Sequence, residues 1–185
     1  MGPSGAMSHP PVRPADVSPR QPPLRRVTAN VLTDLGWLSG VFNLPPHQSL
    51  IDFLAPGVQV IKFTGVRLPN AADEIPFVAL RREAVRLIEP TLSDELVEAA
   101  GSVGRTTPRG VACLLPNGRL RGTLEVLVNV RVSDFLCQQS SLIVMRRCIL
   151  APYGESLESP KARQLGTVVV NLASAIGVAE WEWSG

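Results

Sequence analysis

Arginine is the residue type with which this sequence could do most of its chemistry. Of its 18 basic residues, only Lys62 and Lys161 are lysine. Guanidinium groups bind carboxylates and phosphates, so a cluster of them predicts a surface for an acidic partner or an anion. A solvated sheet face is the alternative interpretation of the same residues. The clearest cluster lies in the C-terminal half and consists of Arg119, Arg121, Arg131, Arg146 and Arg147.

Tryptophan is the second candidate for a contact surface. In Trp181-Glu182-Trp183, both indoles lie on one side of an extended chain end. Tryptophan is enriched at protein interfaces. We expect the pair either to cover one end of the fold of this chain, which we favour, or to dock on a partner.

Catalytic and metal-binding motifs are missing from the sequence. The two histidines, His9 and His47, stand alone, and no nucleophile elbow, phosphate-binding loop or zinc-protease motif occurs. We therefore expect a protein that is not an enzyme and that holds no metal and no cofactor. Without a C-x-x-C pair, we expect the three cysteines to be small apolar residues of the core, at Cys113, Cys137 and Cys148.

Composition narrows the class and the compartment. The formal net charge of +2 is much lower than that of a domain that binds nucleic acid mainly through phosphates. No apolar run reaches the roughly 18 residues that span a membrane. The first residues show no apolar stretch followed by a small-residue cleavage site, so we expect no secretory signal. The preference for arginine over lysine indicates a GC-rich, bacterial genome. Because the cysteines show no disulfide pattern, we expect a reducing cytoplasm.

The elements that position these residues occur twice. Ala29–Asn70 aligns with Val111–Pro152 at a shift of 82 positions with nine identities, where roughly two or three are expected by chance. Each copy predicts a hairpin, a bent second strand, a helical turn capped by an aspartate, a third strand and two last strands. Gly40 and Gly122 stand at matched points of the second strand, where a bulge is expected.

These elements predict an all-β protein with two small domains. We expect a disordered proline-rich tail over residues 1–26, a first small β-barrel over 27–90, a short helix and connector over 91–109, and a second small β-barrel over 110–185. The Asn-Gly pair in Leu115–Gly118 predicts a type I′ hairpin turn, in which both central residues have positive φ.

The second copy resembles Sm-like proteins. Its segment Val111–Leu124 resembles their first motif, with an Asn-Gly turn and a glycine four residues later, and Leu165–Ile176 resembles their second. The resemblance implies two tandem SH3/Sm-like barrels. Where Sm-like proteins hold an RNA base with an Asp, an Asn and an Arg-Gly, this copy has Val128, Val132 and Asn171-Leu172. The resemblance therefore supports the fold and weakens the expectation of RNA binding.

The sequence thus predicts a non-enzymatic interaction module, an adaptor or assembly factor with a protein partner. Small open barrels leave strand edges that need covering, so we expect the two barrels to pair through strand edges, either within one chain or between chains as a homo-oligomer. Two alternatives stay open. One is nucleic-acid binding through the basic face, and the other is sensing of a small ligand. The contact surfaces that we predict are the strand edges, the arginine cluster and the two C-terminal tryptophans.

Overall fold

The computed structural model describes residues 23–54, 57–91, 104–138 and 141–181. Its strands are β1 (Arg25–Thr33), β2 (Gly36–Leu44), β3 (Val60–Arg67), β4 (Glu74–Arg81), β5 (Leu87–Pro90), β6 (Thr106–Leu115), β7 (Gly118–Leu127), β8 (Leu142–Ala151), β9 (Arg163–Leu165), β10 (Val168–Asn171) and β11 (Gly177–Glu180). The helices α1 (Leu50–Phe53) and α2 (Val132–Gln138) follow β2 and β7, and single 3-10 turns follow β4 and β10, at Arg82–Ala84 and Leu172–Ser174.

All strand pairs are antiparallel, and they form one sheet in the order β11-β6-β7-β8-β10-β5-β1-β2-β3-β4, with β9 beside β8. This confirms the predicted all-β class. The sheet is continuous across both halves because β10 pairs with β5. Among the described residues the path stays open, and its two ends are β11 and β4.

The two halves share one strand order. In the first half, β5 pairs with β1, and β2, β3 and β4 follow; in the second half, β11, β6, β7, β8 and β10 take the same places. The shift of 82 positions holds through β3 and β8. It becomes 90 positions in the last two strands, where Leu80 matches Val170 and Ile88 matches Val178 by their partners in the sheet.

Both strand glycines lie at the predicted bulges. The register between β2 and β3 shifts around Gly40, and the register between β7 and β8 shifts around Gly122. A Cβ on Gly40 would lie 2.8 Å from the Phe63 ring, and a Cβ on Gly122 would lie 2.6 Å from the Cys148 sulfur. Glycine lets the bent strand pass this close to its neighbour.

The hairpin turns lie where the sequence predicts them, but the type I′ assignment is wrong. Leu115 pairs with Gly118 across a two-residue turn. Its first central residue is Pro116, whose ring fixes φ near −65°, and Asn117 does not have a positive φ. Proline therefore excludes the mirror-image turn, although the hairpin itself forms.

The predicted helical turns are present, but a different residue caps the first. The Ser49 hydroxyl accepts a hydrogen bond from the backbone N–H of Asp52 at 3.0 Å. The Asp52 carboxylate accepts a hydrogen bond from the Ser49 hydroxyl at 2.6 Å. The turn buries Leu50 and Leu54, so it seals one end of the core.

Two hydrophobic clusters form the interior, and each draws on both halves. The first cluster centres on Phe42 and Phe63 but includes Leu142 and Val169 from the second half. The second cluster includes Leu32, Leu87 and Trp37 from the first half. The halves are thus packed together by their cores as well as by the β5–β10 pairing.

The predicted tail and the predicted linking helix lie largely outside the described residues. The first strand begins at Arg25, inside the predicted tail, because Arg25 and Arg26 pair with Leu44 and Asn43. The predicted linking helix, Leu92–Ala100, lies outside the described residues. Most of the predicted tail also lies outside them.

Candidate interaction surfaces

Three of the predicted contact residues meet on the outer face of the second half. Arg119 and Arg121 alternate with buried residues along β7, so both point away from the core. The Arg121 guanidinium carbon lies 3.7 Å from the centroid of the Trp181 ring. Trp181 follows β11 and donates its backbone N–H to Gly110. Trp181 thus contacts Arg121 of its own chain, while 47% of its surface stays exposed.

The two guanidinium groups on this outer face lie close together and are partly desolvated. Burial lowers the pKa of Arg121, and the positive charge of Arg119 lowers it further. The Nε atoms of both side chains are buried and make no hydrogen bond. An incoming carboxylate would therefore relieve repulsion between the two guanidinium groups.

The loop between β8 and β9, residues 152–162, holds the Arg119 side chain in place. Arg119 donates a hydrogen bond to the backbone oxygen of Glu155 at 2.9 Å. Hydrogen bonds from Lys161 and Ser159 hold the Glu155 carboxylate and lower its pKa. Tyr153 donates its hydroxyl to the backbone oxygen of Leu115 at 2.8 Å. The loop thus packs against the β6–β7 hairpin and fixes the position of Arg119.

Arg146 and Arg147 lie at the β8 bulge opposite Gly122. Arg146 pairs with Thr123, two residues beyond Arg121 on the same side of β7, so Arg146 belongs to the same outer face. The backbone oxygen of Arg146 accepts a hydrogen bond from the Thr123 hydroxyl at 3.2 Å. Arg147 is exposed and has a left-handed backbone, with φ of 52°. The matched residue of the first half is Gly65, with φ of 59°. Glycine adopts this conformation without the steric cost that arginine bears.

Arg131 stands at the start of a helix rather than on β7 or β8. It is exposed and precedes α2, where its backbone oxygen accepts a hydrogen bond from the backbone N–H of Phe135. Trp183 lies outside the described residues. Arg119, Arg121 and Arg146 thus share the outer face that Trp181 contacts, and Arg147 lies at the bulge beside them.

A cross-half cluster stands on the corresponding outer face of the first half. The Arg163 guanidinium carbon lies 4.2 Å from the centroid of the Trp37 ring. Arg163 also binds the Glu89 carboxylate at 2.7 Å, and Asn30 donates to the same oxygen at 3.1 Å. Glu89 is largely buried, whereas Arg163 is 41% exposed, so the ion pair is shielded from solvent only on its acidic side. Sequence reasoning missed the cluster because its members are distant in the chain.

Asn171 fixes the other side of the junction. Its side chain is buried and donates to the backbone oxygens of Arg82 at 3.2 Å and Val85 at 2.9 Å. It also accepts from the backbone N–H of Ala173 at 3.2 Å. The resemblance places a base-binding Arg-Gly at this position, whereas here the side chain is used internally.

A shallow cleft of about 220 Å³ lies beside Asn171. Its lining includes Arg81, Arg82 and Glu83 from the first half and Ser141 from the second. Arg81 binds Glu83 at 2.5 Å, and Arg82 donates to the Ser141 hydroxyl at 2.5 Å. Arg81 therefore pairs with a residue of its own half, and Arg82 reaches across to the second half.

Two of the three cysteines lie in the core, as predicted, and the third does not. Burial raises the pKa of Cys113 and Cys148 to about 12, so both are inert core thiols. Cys137 is exposed on α2, so its predicted place in the core is wrong. His47 is exposed between β2 and α1. No cluster of three potential metal ligands occurs among the described residues.

The two ends of the sheet are the remaining candidate surfaces. The backbone N–H of Arg82 donates to Gln59 on the β3 side, so by alternation the amides of Ala79 and Arg81 face outward. The backbone N–H of Trp181 faces β6, so that of Val178 faces outward. Within the described part of the chain, no strand covers either edge.

No family model, curated protein or solved structure matches the chain. Of the helices that the structure describes, none has the length and apolar character needed to cross a membrane.

Proposed function

We propose that this chain is a non-enzymatic protein-interaction module, an adaptor or assembly factor of a bacterial cytoplasm, built from two tandem SH3/Sm-like barrels. The observation that carries the proposal is the β5–β10 junction. The chain joins its own halves by adding one strand edge to another, and it leaves an equivalent edge open at each end of the sheet. Open edges bind extended partners through main-chain hydrogen bonds.

The outer face of the second half adds specificity to this mode of binding. Arg119 and Arg121 lie on β7, which β6 separates from β11, and the Arg121 guanidinium stacks on Trp181 at the end of β11. A partner on the β11 edge therefore approaches a positively charged face. Complementary charge steers association and selects among partners that a bare backbone edge would accept equally. We therefore expect the partner to carry acidic residues next to the strand that it adds.

The test is capture of partners from the source lysate with full-length protein, with and without nuclease. Ala79→Pro and Val178→Pro each remove one outward amide, whereas the control variants Ala79→Ser and Val178→Thr keep it. We expect a defined protein partner that survives nuclease, is lost with a proline variant and is retained with its control. Capture that is unchanged by both proline variants would refute binding through strand edges.

Arg147 favours a second candidate function, nucleic-acid binding. An exposed arginine is kept where the backbone is left-handed and where the first half has Gly65, and strained positions with exposed charge occur at functional sites. In this alternative, Arg146 and Arg147 contact phosphates. Binding would then weaken steeply as salt rises, and the captured material would be lost on nuclease treatment.

A further inference from the structure

We infer that the chain self-associates head to tail, with β4 of one copy adding to β11 of the next in the register in which β10 adds to β5 within the chain. The inference rests on the proposed function and identifies its partner as a second copy of this chain. The described sheet has the two required edges, one at each end.

The internal junction defines the register. Val169 pairs with Ile88 across it. The strand partners of these residues show that Ala79 matches Val169 and that Val178 matches Ile88. Ala79 of one chain should therefore pair with Val178 of the next.

The outward-facing backbone groups fit that register. Asn171 donates its backbone N–H to the backbone oxygen of Arg86 at 3.0 Å across the junction. The residues that match these two are Arg81, whose amide faces outward, and Ile176, which precedes β11. Donor and acceptor thus stand at the positions that the internal ladder uses.

Apolar side chains beside the open edges are exposed where their counterparts at the junction are covered. Val60 is 48% exposed, whereas its counterpart Leu142 is 6% exposed. Leu114 is 36% exposed, whereas its counterpart Leu32 is 7% exposed. Pairing of the edges in the internal register would cover Val60 and Leu114 in the same way, and burial of apolar surface favours association.

Charge at the two open edges is complementary. Within the chain, Arg163 crosses the junction to Trp37 and Glu89. The residue that matches Arg163 is Asp73, which precedes β4 and is exposed, and the residue that matches Trp37 is Arg119. Head-to-tail pairing therefore brings an acid of one chain to the basic outer face of the next. The cation–π contact within the chain is replaced by an ion pair between chains.

Pro76 does not obstruct this pairing, although proline on an edge usually blocks strand addition. Its counterpart is Gly166, which lies between β9 and β10 and takes no part in the ladder with β5. Only the later part of β4 is needed, and it carries Ala79, Leu80 and Arg81.

Contact between chains should be weaker than the internal junction. Ala179 stands at the open-edge position that matches Glu89, and Arg81 stands at the position that matches Asn171. The buried hydrogen bonds of the junction are thus missing, so we expect association that depends on protein concentration. Because the contact joins two different surfaces, repeated addition gives a closed ring or a filament.

Cross-linking tests the register. Two full-length chains are prepared in a Cys137→Ser background, one with Ala79→Cys and the other with Val178→Cys, and they are mixed under mild oxidation. Directly opposed residues fit disulfide geometry. We expect a disulfide-linked heterodimer with this pair, and little with the control pair Ala79→Cys and Glu180→Cys, which is two residues out of register.

Charge reversal tests the ion pair. Sedimentation velocity should show wild-type oligomers that weaken by about fivefold to tenfold in affinity with Asp73→Arg or with Arg119→Glu. The double variant should recover most of the loss, because each chain then offers both reversed charges. Asp134→Arg changes the charge equally on α2 and should leave association unchanged. Melting temperatures of all variants report whether they fold.

The outcomes separate this inference from the proposed function. Oligomers with in-register disulfides support both. A chain that stays monomeric across the micromolar range, yet captures another protein that the Ala79→Pro variant loses, refutes self-association and keeps the interaction module. A monomeric chain whose capture is insensitive to both proline variants refutes both.

Discussion

Replacing the bulge glycines by alanine should destabilise each half at the point where its second strand bends. In Gly122→Ala, the new Cβ would lie 2.8 Å from the backbone oxygen of Arg146 in addition to the Cys148 sulfur. In Gly40→Ala, it would lie 3.0 Å from the backbone oxygen of Thr64 in addition to the Phe63 ring. A side chain can rotate away, but a carbonyl in the neighbouring strand moves only if the ladder moves.

Overpacking of this kind costs about 1–3 kcal/mol, and the entropy that alanine removes from the unfolded chain offsets about 0.4–1 kcal/mol of it. We expect each variant to lose about 1–2 kcal/mol of unfolding free energy, or roughly 3–8 °C in Tm for a chain of this length. Urea denaturation and thermal melting measure this. Gly166→Ala is the control, because nothing lies within 4 Å of its Cβ position. If Gly122→Ala has the same melting temperature as Gly166→Ala, the close approach of the neighbouring strand is not the reason that glycine is needed at position 122.

Three further predictions concern single positions. Arg147→Gly should raise the unfolding free energy by about 0.5–1 kcal/mol by removing left-handed strain, and Gly65→Ala should lower it, both measured by urea denaturation. At pH 8 a thiol reagent should titrate only Cys137 in the folded protein, because burial raises the pKa of the other two thiols to about 12, and denaturant should release all three. Asn171→Ala should cost about 2–3 kcal/mol through orphaned backbone oxygens, while Arg81→Ala, at the matched exposed position, should stay within about 0.5 kcal/mol.

Local pattern was enough to predict the strands of this fold, but it was not enough to predict how the halves join. Alternation and glycine placement located β2 and β7, with a bulge in each. Both signals are local, because the two-residue period of a strand and the missing Cβ of glycine are visible in a short stretch of sequence. The pairing of β10 with β5 depends on residues about 80 positions apart. No local rule specifies such a contact, and a prediction of two barrels leaves their common edge unassigned.

Strand alternation was enough to predict which of the arginines share a face, but not where the chain bulges. Arg119 and Arg121 lie together because they are two residues apart on β7, and Arg146 pairs with Thr123 of the same face. Arg147 lies at the β8 bulge, whose backbone conformation alternation does not describe. The missed Trp37–Arg163 contact had a signal in the alignment, since Trp37 replaces an arginine of the other copy and thus marks a face that changed its role.

The matched positions of the two halves suggest how one repeat can serve a permanent and a reversible contact. At the internal junction, Arg163 meets a largely buried acid, and Asn171 binds backbone oxygens that no water reaches easily. Breaking either contact leaves buried polar groups unpaired, so the junction opens only with the fold. At the open edges, Asp73 is exposed and Arg119 is half-buried, so separating them leaves no fully buried charge unpaired. The same strand geometry thus yields a fixed joint inside the chain and an exchangeable one at its ends, and salt should weaken only the second.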